Sequence, residues 1–380
     1  MKKHLIGIQI YFLIVFCFIP NIFSQDWSAS KLFNSTGDFY IESMKQDDQG
    51  NTYLSGVFSD TLNTESSQII SNGLTDFFLA KIDNSYNILW LNRIGGTGSD
   101  YNSLLTIAGG NILMTGAFQN VIKFTPTDSL ESGGAYDLFL CEYDPNGNLN
   151  WQKIIATSTG GQVPNGIAID KNDSIIISGF FRNTIDFGVE IINSSRSVFE
   201  SFFAKFDING NYAWAKTIPS TNNISRFTSV SAFDDGYYFT GYFRDSLFSD
   251  IGSHKSSYAG ISDVFLYKTD LSGNGQWFRR GYGDGNESVG IITQDAYGNI
   301  YTTGYTESSI LEIDSTAATK SLINYISKGA DDIFVLKFNK NGNLIWFKGY
   351  GGEGDDWARD IIQKNNFLYV TGYFSDTIAF

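Results

Sequence analysis

Three glycine-rich acidic stretches carry the carboxylates best spaced for chemistry: GGTGSD at 95–100, GYGDGNES at 281–288 and GGEGDDW at 351–357. Clustered carboxylates beside exposed backbone carbonyls are what a hard cation such as calcium takes. Asp100, Asp284, Asp355 and Asp356 are therefore the metal-ligand candidates, and calcium the one cofactor the residues suggest. A flexible turn capped by its own aspartate fits the same residues. Calcium-binding nonapeptide arrays repeat far more closely than these stretches do, at intervals of 60 residues or more.

Other chemistry is thinly provided. His4 lies in the apolar leader, which leaves His254, in the loop run SHKSSY, for the mature chain. A His-rich metal site is excluded, and a Ser-His-Asp triad would depend on that one residue. Its expected state is an exposed loop histidine. No G-x-S-x-G elbow, phosphate loop or helix-opening G-x-G-x-x-G is present. A carboxylate pair cleaving polysaccharide stays open, since Asp and Glu together number 40 and sequence gives no distances.

The elements that position these residues come from a repeat. An acidic residue, a second polar residue seven positions on and a tryptophan seven further recur at Asp76/Asp83/Trp90, Asp137/Asp144/Trp151, Glu200/Asp207/Trp214, Asp263/Asp270/Trp277 and Asp332/Asn339/Trp346. A second marker, Ser/Thr-Gly followed by an aromatic residue in most copies, centres on Gly56, Gly116, Gly179, Gly241, Gly304 and Gly372. Both series step by about 63 residues, the signature of an internal repeat. Each period reads as four short strands, as in ESVGIITQD, NIYTTGYT, DIFVLKFN and LIWFKGY, with N-G and Gly-Asn turns between them. The third strand is apolar on both faces, Phe78, Ala80 and Ile82 on one and Phe77 and Leu79 on the other, so its sheet must be covered on both sides.

The expected fold is all-β: a β-propeller of four-stranded antiparallel blades, five complete and one partial, about six in all. The D-x-N-G-N segments are expected as hairpin turns and the repeated Trp residues as packing rather than sugar platforms. Trp27, in DWSASKLF, stands as a fourth strand without a third, and only eight residues follow Gly372. The sixth blade thus has its first two strands, and the expectation is that the sequence is a truncated part of a longer protein.

The combined pattern D-x-F-[LV]-x-K-x-D-x-N-G-N-x-x-W, a GG loop, then G-N-x-Y-x-T-G-x-F resembles the bacterial β-propeller repeat family of exported and cell-surface proteins, across Asp26–Phe380. The resemblance implies a propeller at the cell surface and assigns no activity. Glu142 stands in place of the usual Lys, Asn339 in place of the second Asp, and the third repeat has DKND at 170–173 in place of its D-x-x-G-N turn.

Residues 1–24, two lysines and then an apolar run ending near Ser24, have the layout of a secretory signal peptide, leaving 25–380 as the repeat domain. The apolar run is short for a membrane span, so no transmembrane segment is expected in the mature chain. Its removal takes away Lys2 and Lys3 and moves the formal net charge from −14 to −16. A chain this acidic is a poor partner for nucleic acid or anionic lipid. Cys17 leaves with the leader, and Cys141 remains as a buried strand residue with no disulfide partner. The 1–2 and 3–4 turns are short and uniform, whereas the 2–3 connections are long and variable, so a ligand is expected at the long-connection end. The functional expectation is an exported, non-catalytic scaffold binding protein or glycan at the cell surface or forming part of a surface layer. The alternative is an extracellular polysaccharide hydrolase or lyase with an Asp/Glu pair at that end.

Overall fold

The computed structural model describes residues 33–194, 199–221, 225–256, 260–314, 320–323, 327–364, 367–376 and 378–379. Residues 1–24, expected as a signal peptide and including Cys17, and the Trp27 segment lie outside the described residues. The described chain is all-β and propeller-like, built of antiparallel sheets that follow one another in chain order.

Five sheet units have four strands each. Unit 1 is Phe39–Gln46, Thr52–Phe58, Asp76–Ile82 and Ile88–Gly96. Unit 2 is Asp100–Ala108, Asn111–Phe118, Asp137–Tyr143 and Leu149–Ser158. Unit 3 is Gln162–Ile169, Ile175–Phe181, Glu200–Phe206 and Tyr212–Ile218. Unit 4 is Ser225–Phe233, Gly236–Phe243, Asp263–Thr269 and Gly275–Gly283. Unit 5 is Glu287–Gln294, Ile300–Thr306, Asp332–Phe338 and Leu344–Gly352. Unit 6 has two described strands, Asp356–Lys364 and Phe367–Phe374.

The third strand of unit 1 is buried along all seven residues, as its two-faced apolar pattern requires. Its alternate faces belong to different cores. Phe77 and Leu79 join Leu105, Met114 and Phe139 between units 1 and 2, while Phe78, Ala80 and Ile82 join Phe33 and Leu62 on the opposite face. Further clusters fill the spaces between units 2 and 3, 3 and 4, 4 and 5, and 5 and 6. Cys141 is fully buried in the cluster between units 1 and 2, as expected.

The 7 + 7 spacing has a mechanical cause. The carboxylate opening the third strand caps the loop before it, accepting from the amide four residues back: Asn72 N to Asp76 (3.1 Å), Gly133 N to Asp137 (3.0 Å), Lys328 N to Asp332 (2.7 Å). Seven residues of strand follow. The next Asp then closes the hairpin turn; Asp144 Oδ1 accepts from Asn146 N and Asn148 N, and its Oδ2 from Asn148 Nδ2. Asp170 makes the same turn, with Asp173 in the left-handed position that glycine takes elsewhere.

The tryptophan seven residues later reaches the next unit. A Cβ on Gly147 would stand 2.9 Å from the Trp90 ring, on Gly210 3.0 Å from Trp151, and on Gly273 and Gly342 2.7 Å from Trp214 and Trp277. The Trp90 and Trp277 indoles donate to Pro145 O and Lys340 O, each at 3.2 Å. Lys153, Lys216 and Arg279 add bonds to carbonyls of the same turns. Trp90, Trp151, Trp214 and Trp277 staple unit to unit and are not free for sugar stacking.

The long 2–3 connections are more ordered than the sequence reading had them. Each of units 1–5 carries a short hairpin there, as at Val121–Lys123 and Ser129–Glu131. Several pair backward onto the fourth strand of the preceding unit: Ile122 with Gly96, Thr157 with Asp186, Tyr282 with Glu312. Backward pairing shields strand edges that would otherwise recruit other chains. Asp60, Asn120, Asn183, Asp245 and Asp376 precede these segments at φ 56–66°, a left-handed step that Asn and Asp tolerate. Asp-Thr/Ser-Leu at Asp60 and Asp245 is thus a turn element. The structure also corrects the reading of His254, which lies on the strand Gly252–Lys255 with its ring stacked on Phe278 at 3.7 Å. Burial there, followed by the Arg280 charge, lowers its pKa to about 4.

Candidate functional site

The residue opening each first strand in units 2–6 is buried at the junction with the unit before: Asp100, Gln162, Ser225, Glu287 and Asp356. Its counterpart on the preceding third strand is Asp76, Asp137, Glu200, Asp263 or Asp332, also buried. Three junctions therefore hold two carboxyl groups each. In the first, Arg93 reaches Asp76 at 2.7 Å, and the Asp100 backbone exchanges bonds with Thr75 Oγ1. Burial, with Asp76 beside it, pushes the Asp100 pKa up to about 9 against the pull of Arg93. Burial does the same to Glu287, also about 9, despite hydrogen bonds from Ser308 and Thr306 that favour its charged form. One oxygen each of Asp76, Asp100, Glu287 and Asp356 has no hydrogen-bond partner among the described residues.

These contacts explain the paired glycines. A Cβ on Gly95 would meet the Asp76 carboxyl carbon at 2.4 Å, and one on Gly351 would meet Asp332 Oδ1 at 2.0 Å. The GG step leaves room for the buried carboxylate of its own sheet.

The four cation candidates are not brought together. Asp100 lies between units 1 and 2, facing Asp76. Asp284 caps the connection at 309–310, accepting from Ser309 N at 2.8 Å and from the Ser309 hydroxyl. Asp356 is buried between units 5 and 6 and accepts from Gly352 N at 2.7 Å, while its neighbour Asp355 is exposed. Among the described residues no group of three His, Cys, Asp or Glu could hold a metal ion.

An aromatic pair under an arginine stands at the junction of units 3 and 4, where Arg226 lies over Phe180 and Phe199; the junction of units 5 and 6 joins such a cluster to a carboxyl group. Trp357, second residue of its strand, stacks on Tyr305 with centroids 4.7 Å apart and planes 10° apart, and Tyr373 lies 5.2 Å away. Arg359 sits over Trp357 and Tyr373. The indole N–H donates to Asp331 Oδ2 at 2.5 Å, whereas Asp331 Oδ1 is buried with no hydrogen-bond partner among the described residues. Burial raises the Asp331 pKa; the Trp357 bond opposes this, and the Glu307, Asp355 and Asp332 charges add to it. Tyr305, Trp357 and Tyr373 are half-buried and Glu307 is exposed, so the cluster opens to solvent at the long-connection end.

The equivalents of Asp331 and Trp357 at other junctions are Thr75 and Tyr101, Tyr136 and Val163, Phe199 and Arg226, and Ser262 and Ser288. These positions change from unit to unit while the carboxylate next door stays fixed. Sequence reasoning passed over Asp331, Tyr305 and Tyr373 because each adjoins a repeat landmark and looked like part of it.

No family model matches the chain. Among curated proteins, an uncharacterized WD repeat-containing protein of Acanthamoeba polyphaga mimivirus is 28% identical over 387 residues, covering 82% of this chain and 27% of that one. The chain thus spans about a quarter of that relative's length. Among solved structures, a GH43 endo-arabinanase from Bacillus licheniformis is similar at 10% identity and TM-score 0.32, covering 83% of this chain and 100% of that one. A member of the DUF4221 family from Bacteroides vulgatus is similar at 13% identity and TM-score 0.34, covering 98% and 99%.

Proposed function

We propose that this chain is an exported or cell-surface β-propeller of about six blades that binds glycan without cleaving it, at the long-connection end of the junction between units 5 and 6. The observation that carries the reading is the Tyr305–Trp357–Tyr373 cluster with the recessed Asp331 carboxyl beside it. Aromatic rings supply the apolar surface that a sugar ring needs, and a buried carboxyl oxygen in want of a donor suits a hydroxyl. The core shared by units 5 and 6 holds these positions in place, which is the division of labour expected of a binding scaffold. Chain composition, with its acidic charge, and the leader at 1–24 support export and disfavour nucleic acid.

A second reading, a hydrolase or lyase acting on polysaccharide, draws on Asp331 too. A buried carboxyl that keeps its proton to higher pH beside Glu307 has the character of a general acid.

One experiment tests both. The protein is screened against neutral and acidic oligosaccharides for binding and for new reducing ends, with calcium and with chelator. Binding without cleavage, weakened at least tenfold by Trp357→Ala, is expected. Cleavage abolished by Asp331→Asn would replace the first reading with the second, and binding untouched by Trp357→Ala would remove the site.

A further inference from the structure

The second strand of unit 6 repeats a pattern whose partner is known five times over. In units 1–5 the motif glycine stands opposite the third residue of the neighbouring strand, always phenylalanine: Gly56 with Phe78, Gly116 with Phe139, Gly179 with Phe202, Gly241 with Phe265, Gly304 with Phe334. The ring occupies the space a side chain would need. A Cβ on those glycines would meet it at 2.8, 2.9, 3.0, 2.5 and 2.7 Å.

Unit 6 keeps the glycine, and among the described residues no ring stands as close to it as those five do. The nearest atoms to a Cβ on Gly372 belong to Trp357 and Ala358, on the strand behind it. Among the described residues Phe367–Phe374 pairs only with Asp356–Lys364, which leaves its outer edge without a partner strand. Only Val370 and Gly372 of this strand are buried, whereas six of the seven residues of its counterpart Ile300–Thr306 are. FLYVTGYF contains no charge and no proline, so it lacks the devices that blunt an exposed edge. Beside it Trp346 repeats the tryptophan that elsewhere lies under the next unit's turn glycine, and no described glycine covers it.

We propose that this edge is a receptor for a β-hairpin of the repeat's own third-and-fourth-strand type. The hairpin opens with an acidic residue, sets its third-residue phenylalanine over Gly372 and lays the glycine of its N-G turn on Trp346. The two contacts lie at opposite ends of the first strand of the hairpin and fix its register, which a generic apolar strand would not do. Tyr373 of the aromatic cluster lies on this strand beside Gly372, but the inference rests on Gly372 and Trp346 and not on glycan binding.

The test uses the full chain and a dye-labelled peptide with the sequence of Asp332–Tyr350, which carries Phe334 and Gly342 in the required places. Saturable binding by anisotropy is expected, with Phe334→Ala or Gly342→Val in the peptide weakening it at least tenfold. Hydrogen exchange should slow on adding peptide at the alternate amides of 367–374 that face away from Asp356–Lys364. As a second readout, the hairpin appended after Phe380 through a copy of 307–331 should raise Tm by several degrees. No binding together with no rise in Tm overturns the proposal, as does binding indifferent to both peptide changes. Protection of those outward-facing amides without peptide overturns it as well, sedimentation then telling whether a second copy or the chain's own residues hold the edge.

Discussion

Four junctions close on a tryptophan under a turn glycine; the equivalent turn of unit 1 does not. There Tyr86 occupies the glycine position at φ 65° and is 47% exposed, and no described tryptophan lies against it. The turn itself is unchanged, with Ser85 N and Asn87 N on Asp83 Oδ1. Backbone geometry alone therefore does not demand glycine, since an L-residue can be held left-handed at a cost of about 1–2 kcal/mol. What demands it at Gly147, Gly210, Gly273 and Gly342 is the neighbour's indole, with no room for a Cβ. A residue that looks like turn chemistry is in fact an interunit contact.

The largest expected effect breaks a staple from either side. Trp277 is 8% exposed, and Trp277→Ala should cost about 3–5 kcal/mol, the range for deleting a buried large aromatic. Gly147→Tyr copies the unit 1 residue into a stapled junction and should cost well beyond the left-handed strain of about 1–2 kcal/mol, because the Trp90 ring must also be displaced. Urea unfolding measures both. If Gly147→Tyr costs no more than that strain, the staple does not select the glycine.

An effect confined to a pH window separates the acid–acid junctions from those where Gln162 or Ser225 replaces one carboxyl. Asp100 and Glu287 have folded-state pKa values raised to about 9 by burial first and by Asp76 or Asp263 in addition. Between their unfolded values near 4 and about 9 the native state binds more protons than the unfolded state. Stability should therefore fall as pH rises through that window, by at most about 1.4 kcal/mol per pH unit for each group. Asp100→Asn and Glu287→Gln should each flatten the slope between pH 5 and 9, and Gln162→Ala should leave it alone. A slope unchanged in the double variant would show that the carboxyls are ionised.

Strand order, hairpin turns and the two-faced third strand were legible because the 63-residue repeat prints them several times over. The 7 + 7 spacing was legible too, although its cause was not: Trp90 meets Gly147, 57 residues away in another repeat, and no local pattern records that contact. The linker hairpins were missed because arms of three residues, such as Val121–Lys123, are too short to display a period of two. His254 was misread for the same reason. Asp100 and Asp356 were singled out for calcium on loop composition, but their surroundings depend on Asp76 and Asp332, carboxylates in the preceding unit. Of the aromatic cluster, Trp357 was visible inside GGEGDDW, and nothing in the sequence brought Tyr305 or Tyr373 to it.

The smallest expected effect returns to the unstapled turn. Tyr86→Gly relieves left-handed strain of about 1–2 kcal/mol and restores the conformational freedom of glycine to the unfolded chain, a loss of about 0.5–1 kcal/mol. The two partly cancel, so the variant should be neutral or more stable by about 1.5 kcal/mol at most. The same substitution read in reverse, Gly147→Tyr, is then strongly unfavourable, and the asymmetry between the pair isolates what the indole contributes. A loss above about 2 kcal/mol on Tyr86→Gly would exceed any backbone account and would mean that the tyrosine ring itself closes this junction, in place of the glycine used at the others.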